Sequence, residues 1–86
     1  MEILYFKSAV KALQKMDAST KNRIKARIHS LTQTPPVGDI KPMEGYTNGA
    51  HRLRVGSIRI IFRYAIENDV KFVYIIDIGS RGDIYK

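Results

Sequence analysis

The spacing of apolar positions changes twice along the chain. Over residues 1–6, Ile3 and Tyr5 alternate with Glu2 and Leu4, which predicts a first strand partly covered on both faces and ending near Phe6. Ser8 can then cap a helix carrying Val10, Leu13 and Met16, and Asp17 to Thr20 can break and restart the chain. In the second helix Ile24, Ile28 and Leu31 stand at i, i+4 and i+7 and form a buried stripe. Lys21, Arg23, Lys25 and Arg27 spread over the remaining surface and read as a solvated face, with a dedicated RNA contact the alternative. Pro35 and Pro36 end the helix, because proline lacks an amide donor and restricts the residue before it. Thr32 to Ala50 then shows no period. So long a loop implies a functional or partner-binding role, or a short turn of structure hidden within it.

From His51 to Ile78 the period falls to two. The pattern predicts a strand, a tight turn at Gly56 and Ser57, a longer strand, a turn around Glu67 to Asp69, and a third strand. The fold class is therefore α+β in the order β-α-α-β-β-β, with an antiparallel meander packed against an N-terminal helical hairpin. Residues 1–86 form one domain.

The hairpin fixes which side chains meet. With Gly56 and Ser57 as its two central residues, Val55 lies opposite Ile58, Arg54 opposite Arg59 and Arg52 opposite Ile61. Leu53, Val55, Ile58, Ile60 and Phe62 then share the face that packs on the helices, and Arg52, Arg54, Arg59 and Arg63 share the other. Like charges directly opposite one another weaken a sheet, and a bound anion would relieve that cost. Arginines splayed into solvent are the alternative. Past the last strand, Arg81 and Tyr85 could reach the same face. An arginine clamps phosphate through its planar donors and a tyrosine stacks on a base, although a C-terminal aromatic also serves to cover a sheet edge.

Charge supports a polyanionic partner. Fifteen Lys and Arg against eight Asp and Glu give a formal net charge of +7, a field that speeds encounter with nucleic acid and adds salt-dependent affinity. An acidic protein fits the same field. Cysteine is absent and the two imidazoles, His29 and His51, lie far apart in sequence, so neither a disulfide framework nor a metal site is expected, and no cofactor is. There is no run of about eighteen apolar residues and no basic leader, so a cytoplasmic protein without membrane contact is expected.

The run His51-Arg52-Leu53-Arg54-Val55-Gly56-Ser57-Ile58-Arg59-Ile60-Ile61-Phe62, followed by Ile78-Gly79-Ser80-Arg81-Gly82-Asp83-Ile84-Tyr85, resembles the RelE/ParE toxin superfamily. Lys41-Pro42-Met43-Glu44-Gly45-Tyr46 is similar to that family's Leu-Xaa-Gly stretch, and the likeness spans nearly the whole chain. It implies a toxin of a type II toxin-antitoxin system, neutralised by a cognate antitoxin. In the RelE branch, the nearer likeness, it implies a ribosome-dependent mRNA endonuclease that inhibits translation. There the ribose 2′-hydroxyl attacks the adjacent phosphorus and leaves a cyclic phosphate.

By the same resemblance Arg59, Arg81 and Tyr85 match the family's two arginines and C-terminal tyrosine and are the catalytic candidates. Arg52 and Arg54 stand where RelE types carry basic residues, usually lysines, and with Arg63 they would hold RNA. Arginine is a poor general base, so Tyr85, His51 and Glu44 stand open for that role. Ser80 lacks a partner that would make it a nucleophile. A ParE-like inhibitor of DNA gyrase that cuts no RNA is the alternative, and an inactive remnant a third reading.

Overall fold

A computed structural model describes residues 1–36, 38–43 and 49–80. Its elements run β1 (Glu2–Tyr5), α1 (Lys7–Gln14), α2 (Ala18–Ser30), β2 (Asp39–Pro42), β3 (His51–Val55), β4 (Ile58–Glu67) and β5 (Val70–Ser80). The strands form one sheet in the order β1-β5-β4-β3-β2.

The α+β class and the β3-β4-β5 meander are as the sequence predicts. The β3–β4 register pairs Val55 with Ile58, Arg54 with Arg59 and Arg52 with Ile61. Gly56 takes φ +61 in the tight turn, a conformation that costs a residue without Cβ little. Asn68 and Asp69 both take positive φ in the β4–β5 turn, the geometry whose twist matches a two-residue hairpin.

Two expectations need correction. The stretch Thr32 to Ala50 is not all loop, since Asp39–Pro42 pairs antiparallel with β3 as an edge strand. The element order therefore gains a strand over β-α-α-β-β-β. The sheet is also mixed rather than wholly antiparallel, because β1 runs parallel to β5, with Glu2 opposite Phe72 and Tyr5 opposite Ile75. The helical crossover that follows β1 makes this possible.

Ile24 and Ile28 of α2 and its C-cap residue Leu31 are fully buried against Leu53, Ile60, Phe62, Val73 and Ile75 of the sheet. This is the stripe that the 3.6-residue spacing predicts. Asp17 caps α2 by accepting from the Thr20 N–H at 3.2 Å, and the Thr20 side chain, together with that bond, holds its carboxyl below the usual carboxylate range. At the other end of α2 the Tyr64 hydroxyl donates to the Leu31 carbonyl at 2.7 Å.

Helix α1 departs from expectation in detail. Its N-cap is Phe6, without a side-chain cap, and Ser8 instead donates its hydroxyl to the Ile76 carbonyl at 2.7 Å. Ala9 and Leu13 are its buried residues, and Val10 is 39% exposed. The Ile76 carbonyl is accessible because β5 bulges there. Ile61 pairs with Asp77 and Phe62 with Ile75, so Ile76 has no counterpart on β4.

Candidate nucleic-acid interface

Alternation along β2, β3 and β4 sends every second side chain to the sheet face turned away from the helices. On that face Arg54 lies directly across from Arg59 and from Asp39, and Arg52 lies across from Lys41. Arg52 and Arg59 are half-buried, and Arg54 is exposed. Arg54 Nη2 meets Asp39 Oδ2 at 2.8 Å, with the two side chains 53% and 39% exposed. Opposite Arg59 on β5 stands Gly79, which adds no side chain at that position of the ladder.

The structure brings Arg52, Arg54 and Arg59 together but not Arg63. Arg63 sits four residues along β4, roughly 13 Å at the usual strand rise, and its guanidinium carbon lies 5.0 Å over the Tyr74 ring. Between the two sites Ile61 is wholly buried and packs with Met43, Ala50 and Ile76. The Tyr74 hydroxyl donates to Glu67 Oε2 at 3.2 Å. Desolvation, then that bond and the Glu67 charge, push the phenol up against the opposing pull of Arg63.

His51 is turned away from the arginines. Its ring stacks on Phe62 with centroids 5.8 Å apart, and its Nδ1 is 2.7 Å from the Gly49 carbonyl, a contact in which the ring nitrogen donates. Regular alternation puts it on the helix side of β3, so it cannot serve a reaction at Arg59. Arg81, Tyr85 and Glu44 lie outside the described residues.

Asp39, Lys41 and Asp77 border the cluster and were missed by sequence reasoning. The polar-apolar-polar run Asp39-Ile40-Lys41 was the available signal for the first two, with Ile40 opposite Leu53 on the core face. Asp77 lies across from Ile61, and its Oδ1 accepts from the Ile78 N–H at 2.9 Å. Converging guanidinium donors in a partly water-excluded setting bind phosphate and stabilise charge that develops on it. Among the described residues no group of three or more His, Cys, Asp and Glu could hold a metal ion. No helix among them is long and apolar enough to cross a membrane.

Comparison with known proteins supplies the family. Among solved structures, the chain is 28% identical to a chain of the RelB-RelE antitoxin-toxin complex from Methanococcus jannaschii, covering 95% of this chain and 94% of that one with a TM-score of 0.70. It is 26% identical to a chain of the archaeal RelE-RelB complex from Pyrococcus horikoshii, with 94% of each chain covered and a TM-score of 0.67. The YoeB/ParE toxin from Agrobacterium tumefaciens shares the fold at a TM-score of 0.78 and 20% identity, over 94% of this chain and 99% of that one. Direct comparison with curated proteins gives no match. The model of the ParE toxin of type II toxin-antitoxin systems matches residues 3–85, and this chain, with its arginine-bearing hairpin and helical pair, belongs to that toxin family.

Proposed function

We propose that the chain is a ribosome-dependent mRNA endonuclease, acting in the cytoplasm and held inactive by a cognate antitoxin. The observation that carries this reading is the arginine cluster: Arg54 faces Arg59 across the β3–β4 ladder with Arg52 beside them. Asp39, paired with Arg54, offsets part of the repulsion between these like charges, and guanidinium donors that converge in this way also suit a messenger phosphate. In this reading Arg59, together with Arg81, stabilises the charge that builds on phosphorus as the 2′-hydroxyl attacks. Arg52 and Arg54 hold the flanking backbone phosphates, and Tyr85 stacks on the neighbouring base. Arg63, engaged with Tyr74, contributes through the field rather than by contact.

One of the solved relatives comes from an antitoxin-toxin complex, RelB-RelE, and another from a RelE-RelB complex. For this chain the complementary partner is an acidic segment that covers the arginines, and its complex should weaken as salt rises.

The test is primer extension on a defined messenger programmed into purified ribosomes, with the wild type beside Arg59→Ala and Arg81→Ala. Cleavage by the wild type, lost in both variants, supports the endonuclease. A folded, toxic protein that cuts no messenger and inhibits DNA supercoiling by gyrase would establish the ParE-like alternative.

A further inference from the structure

The cation cluster does not stop at the sheet face. Arg54 also lines a groove of about 300 Å³ between the β2–β3 edge and α2, whose other charged residues are Arg23, Arg27 and Asp39. Arg23 and Arg27 are one helical turn apart on α2, hence neighbours on its surface. Arg23 reaches the β3–β4 turn, for a Cβ built on Gly56 would stand 3.9 Å from its Nη2. Gly38 and Gly56 add no side chains to its lining. The one carboxylate among the described lining residues, Asp39, is already paired with Arg54.

The remaining cations of the helix behave differently. Lys21 and Lys25 flank a separate depression with Tyr5, Val10 and Leu13. The four α2 cations that the sequence presents as one solvated face are therefore divided in two, and only the arginines join the sheet cluster.

We propose that Arg23 and Arg27 form a second phosphate-binding site for RNA, continuous through Arg54 with the cluster at Arg59. It gives a bound strand, or a folded RNA beside it, a grip that takes no part in cleavage. An acidic peptide is the weaker fit. Peptides dock through apolar anchors, and the apolar lining here, Leu53 and Val55, is 0% and 7% exposed. Guanidinium groups along a groove that lacks such anchors suit a backbone of phosphates. The inference builds on RNA as the ligand of the sheet face but does not require cleavage.

The experiment is equilibrium binding of a short labelled RNA hairpin between about 50 and 200 mM KCl. It compares wild type, Arg23→Gln/Arg27→Gln and the charge-matched control Lys21→Gln/Lys25→Gln, with ribosomal cleavage assayed in parallel. Arg23, Lys25 and Arg27 are exposed and Lys21 is half-buried, and none belongs to the core cluster, so thermal melts should be alike. The arginine variant should bind about tenfold more weakly at the lower salt, and its log-affinity against log-salt slope should fall by about 1.5, two phosphate contacts at 0.7 to 0.9 each. The lysine control should keep the slope to within about half of that loss.

Equal losses in the two variants would mean a general field and overturn the site, as would no loss in either. Loss of poly-glutamate binding with RNA binding intact would overturn it in favour of an acidic partner, and so would a wild type that binds no RNA. A wild type that binds the hairpin with the stated arginine dependence but leaves messengers whole would uphold the groove and sink the endonuclease reading alone.

Discussion

Replacing Asp39 with Asn should destabilise the protein and strengthen its hold on RNA, two effects of opposite sign from one isosteric change. Asp39 pairs with Arg54 at 2.8 Å, with side chains 53% and 39% exposed. Water and salt screen a pair that open, so its loss should cost only about 0.5 kcal/mol. For a domain of this size that is a fall in melting temperature of roughly 2 to 4 °C. A phosphate on Arg54 would stand about 6 Å from the Asp39 carboxylate. At a surface permittivity near that of water, the repulsion is 332/(80 × 6), about 0.7 kcal/mol. Removing it should tighten RNA binding about threefold. Differential scanning fluorimetry and fluorescence anisotropy at about 0.1 M salt read the two quantities, and both differences should shrink at about 1 M, where the screening length falls to roughly 3 Å. A variant with lower stability and unchanged or weaker RNA affinity would refute the idea that Arg54 receives phosphate.

The other predictions concern the scaffold. Tyr64→Phe removes the donor to the Leu31 carbonyl at the end of α2 and should cost about 1 kcal/mol, seen as a shifted urea midpoint with an unchanged slope. Leu53→Ala empties a fully buried position beneath the hairpin and should cost about 3 kcal/mol or more, lowering the melting temperature by well over 10 °C. Asp17→Ala should lower stability at neutral pH. The Asp17 carboxyl titrates below its ordinary 3.8 in the folded state, so its contribution is present above the unfolded value and lost as pH falls through the folded one. Melting curves of wild type and Asp17→Ala should therefore converge in strong acid, and a gap that persisted there would disprove the capping role.

The parts of the fold legible in the sequence are those set by local chemistry. Gly56-Ser57 between alternating residues fixes a two-residue hairpin, and once the turn is placed every cross-strand pair of β3 and β4 follows, including Arg54 with Arg59. The α2 stripe is equally local. Strand β2 was hidden because Asp39, Lys41 and Pro42 are exposed and only Ile40 packs toward the core. One apolar position carries no detectable period. The pairing of β1 with β5 joins residues near opposite ends of the chain, and no local pattern specifies such a partner. Alternation on β3 and β4 places four arginines on one face but does not show that Arg63 is held by Tyr74, a residue of the next strand. Division of the α2 cations depends on where β2 lies, so it could not be read before that strand was known.

The bulge at Ile76 ties these elements to the arginine face. Strict alternation from the buried Val73 and Ile75 would turn Asp77 into the core and Ile78 out of it. The extra residue reverses that, so Ile78 is 3% exposed and packs in the core while Asp77 faces outward. An uncompensated carboxylate in the core would cost several kcal/mol. The same shift puts Gly79 rather than a larger side chain opposite Arg59, and it frees the carbonyl that Ser8 uses to fasten α1 to β5. One inserted residue thus keeps a charge out of the core, anchors the first helix and sets glycine across the ladder from Arg59. In the proposed endonuclease, where Arg59 meets phosphate, the irregularity in β5 that sets glycine across from it would belong to the site as much as the arginines themselves.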